Sequence, residues 1–270
     1  MLQNLHTHTL FCDGADTPKE MIEKAIALGF DSIGFSSHAP TSVHTDWEMS
    51  DTDSYKKEIS ELKLLYREKI KIFLGIELDY YSSKAINCDS FDYKIGSVHM
   101  AFKDGRQIDF DNTVKASERY IKEYFAGNSL DYAKLYYETV ADMPCVFDYD
   151  IVGHFDLLTK FSEKNPHLID VQSKAYKNVA LEALYAVREK RDFFEINTGA
   201  ISRGYRTTPY PAPFILKEMK HLDCKLVLTS DCHNKNFLDC GFKEAKQYVK
   251  AHGFDSLYYL TQYGFISEKI

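Results

Sequence analysis

Seven times along this chain a short apolar run ends on a histidine or a carboxylate, and that recurrence limits the folds open to it more than any other feature. The first run, Met1 to Leu5, leads into His6-Thr7-His8-Thr9 and the polar stretch Phe11-Cys12-Asp13-Gly14-Ala15-Asp16. That is the pattern of a short buried strand running out into a loop. The others are Ser32 to His38, Ile70 to Glu77 with Asp79 beyond, Tyr93 to His99, Asp148 to His154, Phe193 to Asn197 around Glu195, and Lys225 to Ser230 before Asp231-Cys232-His233. Helical patterns lie between them. Thr17-Pro18-Lys19-Glu20 reads as a capping box with proline at the first helical position, Ile22, Ala25 and Ile26 repeat at helical spacing, and Gly29 ends the helix. A second helix starts near Asp53 or Ser54 and carries Ile59, Leu62 and Tyr66 on one face; further patterns cover 114–125 and 130–141. The clearest apolar face runs from Tyr176 to Val187, and a last amphipathic helix, Phe242 to Lys250, stops before Gly253.

Strand and helix in alternation dictate a parallel sheet, and seven such units come close to a closed barrel. In such a barrel the carboxyl ends of the strands converge on one face, where catalytic groups sit. His6 and His8, two apart on a strand, present their imidazoles side by side. A lone H-x-H is more often a pair of polar residues fraying from a strand end. Five separate strand ends that offer His, or His with Asp, are not explained that way and read as a multinuclear metal site. The other four histidines, His44, His167, His221 and His252, fall in loops or near helix ends and read as surface residues.

A formal charge of -7 and a pI near 5.8 argue against a nucleic-acid surface. No apolar run approaches a membrane span, and the start lacks the pattern of an export signal. The six cysteines are scattered without a C-x-x-C pair, which fits reduced thiols in the cytoplasm. With no linker or repeat in sight, residues 1–270 are expected to form one domain.

His6-Thr7-His8-Thr9 with Asp13-Gly14, Ser37-His38, Gly75-Ile76-Glu77, Gly96-Ser97-Val98-His99, Gly153-His154-Phe155-Asp156 and Ser230-Asp231-Cys232-His233 resemble, in order, the motifs of the PHP superfamily of polymerase-associated domains and histidinol phosphatases. Within it the chain is most similar to the histidinol-phosphate phosphatase branch, through Gly75 to Tyr80, Glu195 to Thr198 and the long insert after His99. The resemblance implies an α/β fold, a distorted (β/α)7 TIM-like barrel with three divalent transition-metal ions at the carboxyl ends of its strands. It gives one metal to His6, His8 and Asp231 with Glu77 bridging, a second to Glu77, His99 and His154, and a third to Asp13, His38 and His233. Asp16 is the nearby substitute for Asp13. Mixed imidazole and carboxylate ligands suit Zn, Fe or Mn. Glu195 falls outside the family's ligand positions and reads equally as an orienting group or a satisfied barrel residue.

For the phosphate, Arg203 in the loop after the sixth strand is the candidate clamp, because a guanidinium binds two phosphate oxygens together. Lys160 is a second candidate, with a solvated lysine as its plainer reading, and relatives often carry arginine where Thr159 stands. The activity implied is hydrolysis of L-histidinol phosphate, a small phosphomonoester, with Asp231 or His233 passing a proton to the leaving alkoxide. Two alternatives remain at this level: a phosphoesterase of the same superfamily acting on nucleotide or oligonucleotide phosphates, and a non-catalytic metal-binding regulatory module. An acidic chain without a basic channel disfavours the first, and the absence of any degenerate metal position disfavours the second.

Overall fold

The computed structural model describes all 270 residues. In chain order its elements are β1 (Gln3–Asn4), α1 (Pro18–Ala27), β2 (Ser32–Phe35), α2 (Thr52–Leu65), β3 (Lys71–Asp79), β4 (Tyr93–Ser97), β5 (Met100–Lys103), β6 (Arg106–Asp109), α3 (Val114–Tyr124), α4 (Ser129–Val146), β7 (Ile151–Val152), α5 (Lys174–Arg188), β8 (Phe193–Asn197), α6 (Gly199–Ser202), α7 (Pro213–His221), β9 (Lys225–Thr229), α8 (Phe242–Ala251), β10 (Ser256–Thr261) and β11 (Gly264–Lys269). Seven strands form one sheet in the order β1-β2-β3-β4-β7-β8-β9, every neighbouring pair parallel. Just beyond β1 and β9 the two edges meet. The His8 N–H donates to the Cys232 carbonyl (2.8 Å) and the Cys232 N–H to the His6 carbonyl (3.1 Å). The sheet thereby closes into a distorted (β/α)7 barrel, as the strand count implies.

Local chemistry explains most of the elements. Thr17 and Glu20 form the reciprocal capping box of α1, Pro18 occupies its first position, and Gly29 follows its end at φ +77°, where glycine is favoured. α2 begins before the residue expected from the apolar pattern, because Asp51 caps it by accepting the Ser54 N–H at 2.9 Å. The alternation of strand and helix breaks once. Residues 80–92 connect β3 to β4 with only a 3-10 turn, Cys88–Ser90, in a segment rich in Ser, Asn and Asp that offers no apolar helical face. Two antiparallel hairpins were not legible as such, β5–β6 in the insert after β4 and β10–β11 at the end of the chain.

The barrel interior changes character along its axis. Near the amino ends of the strands, Leu5, Phe73, Tyr93, Ile95, Ile151 and Val227 pack with Leu260 of β10 into a separate apolar cluster. The hairpin is fastened there by Gln3, which donates to the Leu260 carbonyl (2.9 Å) and accepts its N–H (2.8 Å), and by Phe265 stacked on Phe193. Two residues further along β3, a Cβ on Gly75 would lie 2.2 Å from the Tyr93 ring, so only glycine lets that ring fill the barrel. Two residues on again is Glu77, and the interior has turned polar. The helices cover the outside of the sheet through the large apolar core. No helix is long and apolar enough to cross a membrane.

Candidate metal centre

All nine residues expected as ligands converge on the carboxyl end of the barrel. Glu77 is at their middle, 1% exposed, with His6 Nε2 3.2 Å and His8 Nε2 3.4 Å from its Oε2, and His154 Nε2 3.2 Å and His99 Nε2 3.5 Å from its Oε1. Asp231 Oδ1 lies 3.3 Å from His8 Nε2 and 3.7 Å from His6 Nε2. Asp13 faces His233 Nε2 at 3.2 Å and His38 Nε2 at 3.7 Å. Four compact groups of donor atoms result: His8, Asp13, His38 and His233; His6, His8 and Glu77; His6, His154 and Asp231; His38, Glu77 and His99. His6, His8, His38 and Glu77 each fall in two of these groups, and of the four Glu77 alone has two oxygens to share, as a bridged site requires. Asp16 does not compete with Asp13, since its carboxylate is held by the backbone and ammonium of Lys235, each at 2.8 Å.

Whether these residues suit cations is decided by the atoms left without partners. His6 Nε2, His8 Nε2 and Glu77 Oε2 are buried and have no hydrogen-bond partner, although they lie within about 3.5 Å of each other's groups. Buried polar atoms are normally satisfied, and each exception costs on the order of 1–3 kcal/mol. Ligands about 2.1 Å from a tetrahedral ion stand roughly 3.4 Å apart, which is the spacing seen here. The donor set fits a divalent cation.

The electrostatics agree. Burial works against charge on His6, but Glu195, Glu77 and Asp231 outweigh it and hold its pKa well above the usual range. His38 and His99 are likewise desolvated, yet Glu77 pushes both up to about 9. His8 goes the other way, lowered by burial and by His233 and His38. Burial should raise Glu77, Asp231 and Asp13, but the surrounding imidazoles, with Arg203 beside Asp231, hold all three well below the usual carboxylate range. Negative charge is thus built into this end, and cations can replace the protons that balance it.

Supporting contacts fix the ligands. Glu195 Oε1 lies 2.6 Å from His6 Nδ1, and its Oε2 accepts the His154 N–H (2.8 Å) and the Asn197 amide (3.0 Å). Of its two readings, the orienting one describes what it touches. Asp79 does the same for His99, accepting its N–H at 2.9 Å with Nδ1 3.3 Å away. The Asp13 loop folds onto the strand end because Gly14 has no Cβ; one there would meet the Thr9 nitrogen at 2.4 Å. Asp231 is in the left-handed region, φ +46°, an unfavourable conformation for an aspartate that aims its carboxylate inward.

Beside the ligands is a cavity of about 260 Å³ lined by Asp13, His38, His99, His154, Asp231 and His233, and also by Trp47, Asp111, Leu157, Lys160 and Arg203. Arg203 reaches it as expected, but it also contacts the ligand residues. Its Nη2 donates to the Asp231 carbonyl (3.0 Å) and Oδ1 (3.3 Å) and lies 2.8 Å from His233 Nδ1. The reading of Lys160 as a solvated lysine is corrected: the residue is 7% exposed and donates to the Asp111 carbonyl at 2.8 Å, with Oδ2 at 3.3 Å. Arg206 points elsewhere, stacked over Tyr210 and bonded to Thr159 and to the backbone of Thr208 and Pro209. Trp47 and Asp111 were not singled out by pattern, and only the uniqueness of the tryptophan marked it.

Comparison with known proteins bears on this geometry. The family model described as PHP domain matches residues 4–199, a span that holds the ligand positions from His6 to His154 and ends before Arg203, Asp231 and His233. A probable histidinol-phosphatase of Schizosaccharomyces pombe is 28% identical, covering 93% of this chain and 87% of the relative. The histidinol-phosphatase of Bacillus subtilis is also 28% identical, over 84% of this chain and 92% of its own. Histidinol phosphate phosphatase of Lactococcus lactis, solved with zinc, L-histidinol and phosphate, superposes with a TM-score of 0.75 at 22% identity over 98% of both chains, the same fold.

Proposed function

The chain belongs to the PHP domain family, and from that premise we propose that it is a metal-dependent phosphomonoesterase that hydrolyses L-histidinol phosphate to L-histidinol and phosphate. The observation that carries this reading is the convergence of nine imidazole and carboxylate donors, six of them lining one cavity, with two cations in that cavity, the partly exposed Arg203 and the buried Lys160. The names of the S. pombe and B. subtilis relatives, and the ligands solved with the L. lactis protein, support the choice of substrate.

When bound, three divalent ions would neutralise phosphoryl charge and acidify water at neutral pH. They would be held by His6, His8 and Asp231, by His99 and His154, and by Asp13, His38 and His233, with Glu77 shared between the first two. Arg203, beside Asp231 and His233, and Lys160 in the same cavity bind and orient the phosphate as charge grows on its equatorial oxygens. Asp231, held ionised by Arg203 and the imidazoles, is a poor proton donor. His233 has no proton to give once its Nε2 holds a cation, because its Nδ1 lies 2.8 Å from the Arg203 guanidinium and accepts there, so the leaving alkoxide takes its proton from water at the cavity edge.

A phosphate-release screen of metal-reconstituted protein over small phosphomonoesters tests the proposal. Histidinol phosphate should lead in kcat/KM by at least about tenfold, or about 1.4 kcal/mol of discrimination. A nucleotide in first place would overturn the substrate and leave the metal chemistry standing.

A further inference from the structure

A phosphate bound at Arg203, Lys160 and the metal ligands leaves the organic part of a phosphomonoester to lie against the rest of the cavity lining. That lining includes Trp47, the one tryptophan of the chain. Its ring centroid lies 4.7 Å from that of His38 and 5.4 Å from that of His99, so the two imidazoles back the indole. An adjoining groove of about 530 Å³ shares Trp47, His99 and Asp111 with the metal cavity and adds Asp46, Gln107 and Asp109. Metal cavity and groove are thus continuous past one aromatic ring.

The ring is held in place by its neighbours in sequence. Glu48 accepts the Thr41 N–H (2.7 Å), the Thr41 hydroxyl and the Thr45 N–H (3.2 Å), which ties the loop into a closed turn. Met49 is fully buried, and its N–H donates to the His38 carbonyl at 3.1 Å. A half-buried tryptophan fixed on both sides is a preorganised surface and adds little ordering cost on binding.

We propose that Trp47 is the specificity-determining residue of this site, its indole packing against the cationic heteroaromatic part of the phosphomonoester. The claim deepens the histidinol-phosphate reading and rests on it. An electron-rich indole face favours a planar or cationic group, and the carboxylates of Asp46 and Asp109 in the adjoining groove disfavour an anionic one. An imidazole with a neighbouring ammonium matches both; a polyphosphate tail matches neither.

The test compares kcat/KM for histidinol phosphate with that for 2-aminoethyl phosphate, which keeps the amine and lacks the ring. In Trp47→Ala the ratio of the two should fall roughly 10- to 100-fold, mostly through KM for the larger substrate. Trp47→Phe should recover most of it. A purely structural tryptophan would lower both substrates together, and a ratio within threefold of wild type in Trp47→Ala overturns the proposal. A readout without turnover uses the single indole. Titrating histidinol onto the metal-loaded protein should change tryptophan emission saturably, whereas 2-aminoethanol should not; no saturable change with histidinol contradicts the proposal. If the wild type fails to hydrolyse histidinol phosphate, both readings fall. If it succeeds and the ratio does not move, only the role of Trp47 falls.

Discussion

At the amino-terminal end of the barrel, Leu5, Phe73, Tyr93, Ile95, Ile151 and Val227 close around Leu260, and no ionisable group other than the Tyr93 phenol is among them. At the carboxy-terminal end, the same strands present Glu77, His99 and Asp231, together with imidazole and carboxylate atoms that find no partner in the protein. β3 alone spans the contrast, with Phe73 inside one cluster and Glu77 at the centre of the other, four residues apart. Buried apolar area stabilises the first end by about 25 cal/mol per Å². The second end costs free energy wherever a buried polar atom goes unpaired. The barrel thus draws its stability from one end and its helical layer, and keeps the other end poised for ligands, a common division between stability and function.

The sharpest way to break this contrast is to remove its polar centre. Glu77→Ala should lower kcat/KM by at least about 10³-fold, or about 4 kcal/mol, and elemental analysis should find at least two metal equivalents lost, since one carboxylate serves two sites. The metal-free variant should unfold within about 1 kcal/mol of metal-free wild type in urea. Leu260→Ala is the mirror experiment. Emptying a nearly buried leucine site should cost about 2–3 kcal/mol of stability, while metal content and kcat per folded molecule stay unchanged. A drop in metal content there would show that the two ends are coupled.

Smaller effects probe the residues that aim the ligands. Glu195→Gln keeps the shape beside His6 and His154 but removes the charge. Metal affinity should fall roughly 10- to 100-fold by competition with a fluorescent chelator. Asp79→Asn touches one ligand, His99, and only partly through its ring, so its loss should be the smallest, roughly tenfold or less in the same assay. An Asp79→Asn loss exceeding that of Glu195→Gln would reverse the ranking of the two supports.

The contrast between the ends also marks what was readable in the sequence. The site was legible because its residues stand at the ends of apolar runs, and strand periodicity alone carries them to one face. Glu77, His99 and Asp231 needed no tertiary knowledge beyond seven strands in one sheet. α1 was legible through local chemistry, the capping box of Thr17 and Glu20. The plug was not. Residues 256–269 carry two short apolar runs, Leu257 to Leu260 and Phe265-Ile266, but what they cover depends on Gln3 and Phe193, far away in the chain. Lys160 was misjudged for the same reason: its burial comes from Asp111, contributed by an insert whose path no local pattern reveals. Asp79 and Trp47 act through residues that sequence pattern had already found, and nothing in their spacing says so.

Elemental analysis of catalytically active protein, purified without chelator, tests most directly whether the carboxy-terminal end is built around cations. Close to three equivalents of divalent transition metal per chain are expected, falling together with phosphate release as a chelator strips them, while the far-ultraviolet circular dichroism stays the same. Full hydrolysis of histidinol phosphate by protein holding less than one equivalent would contradict the metal centre outright.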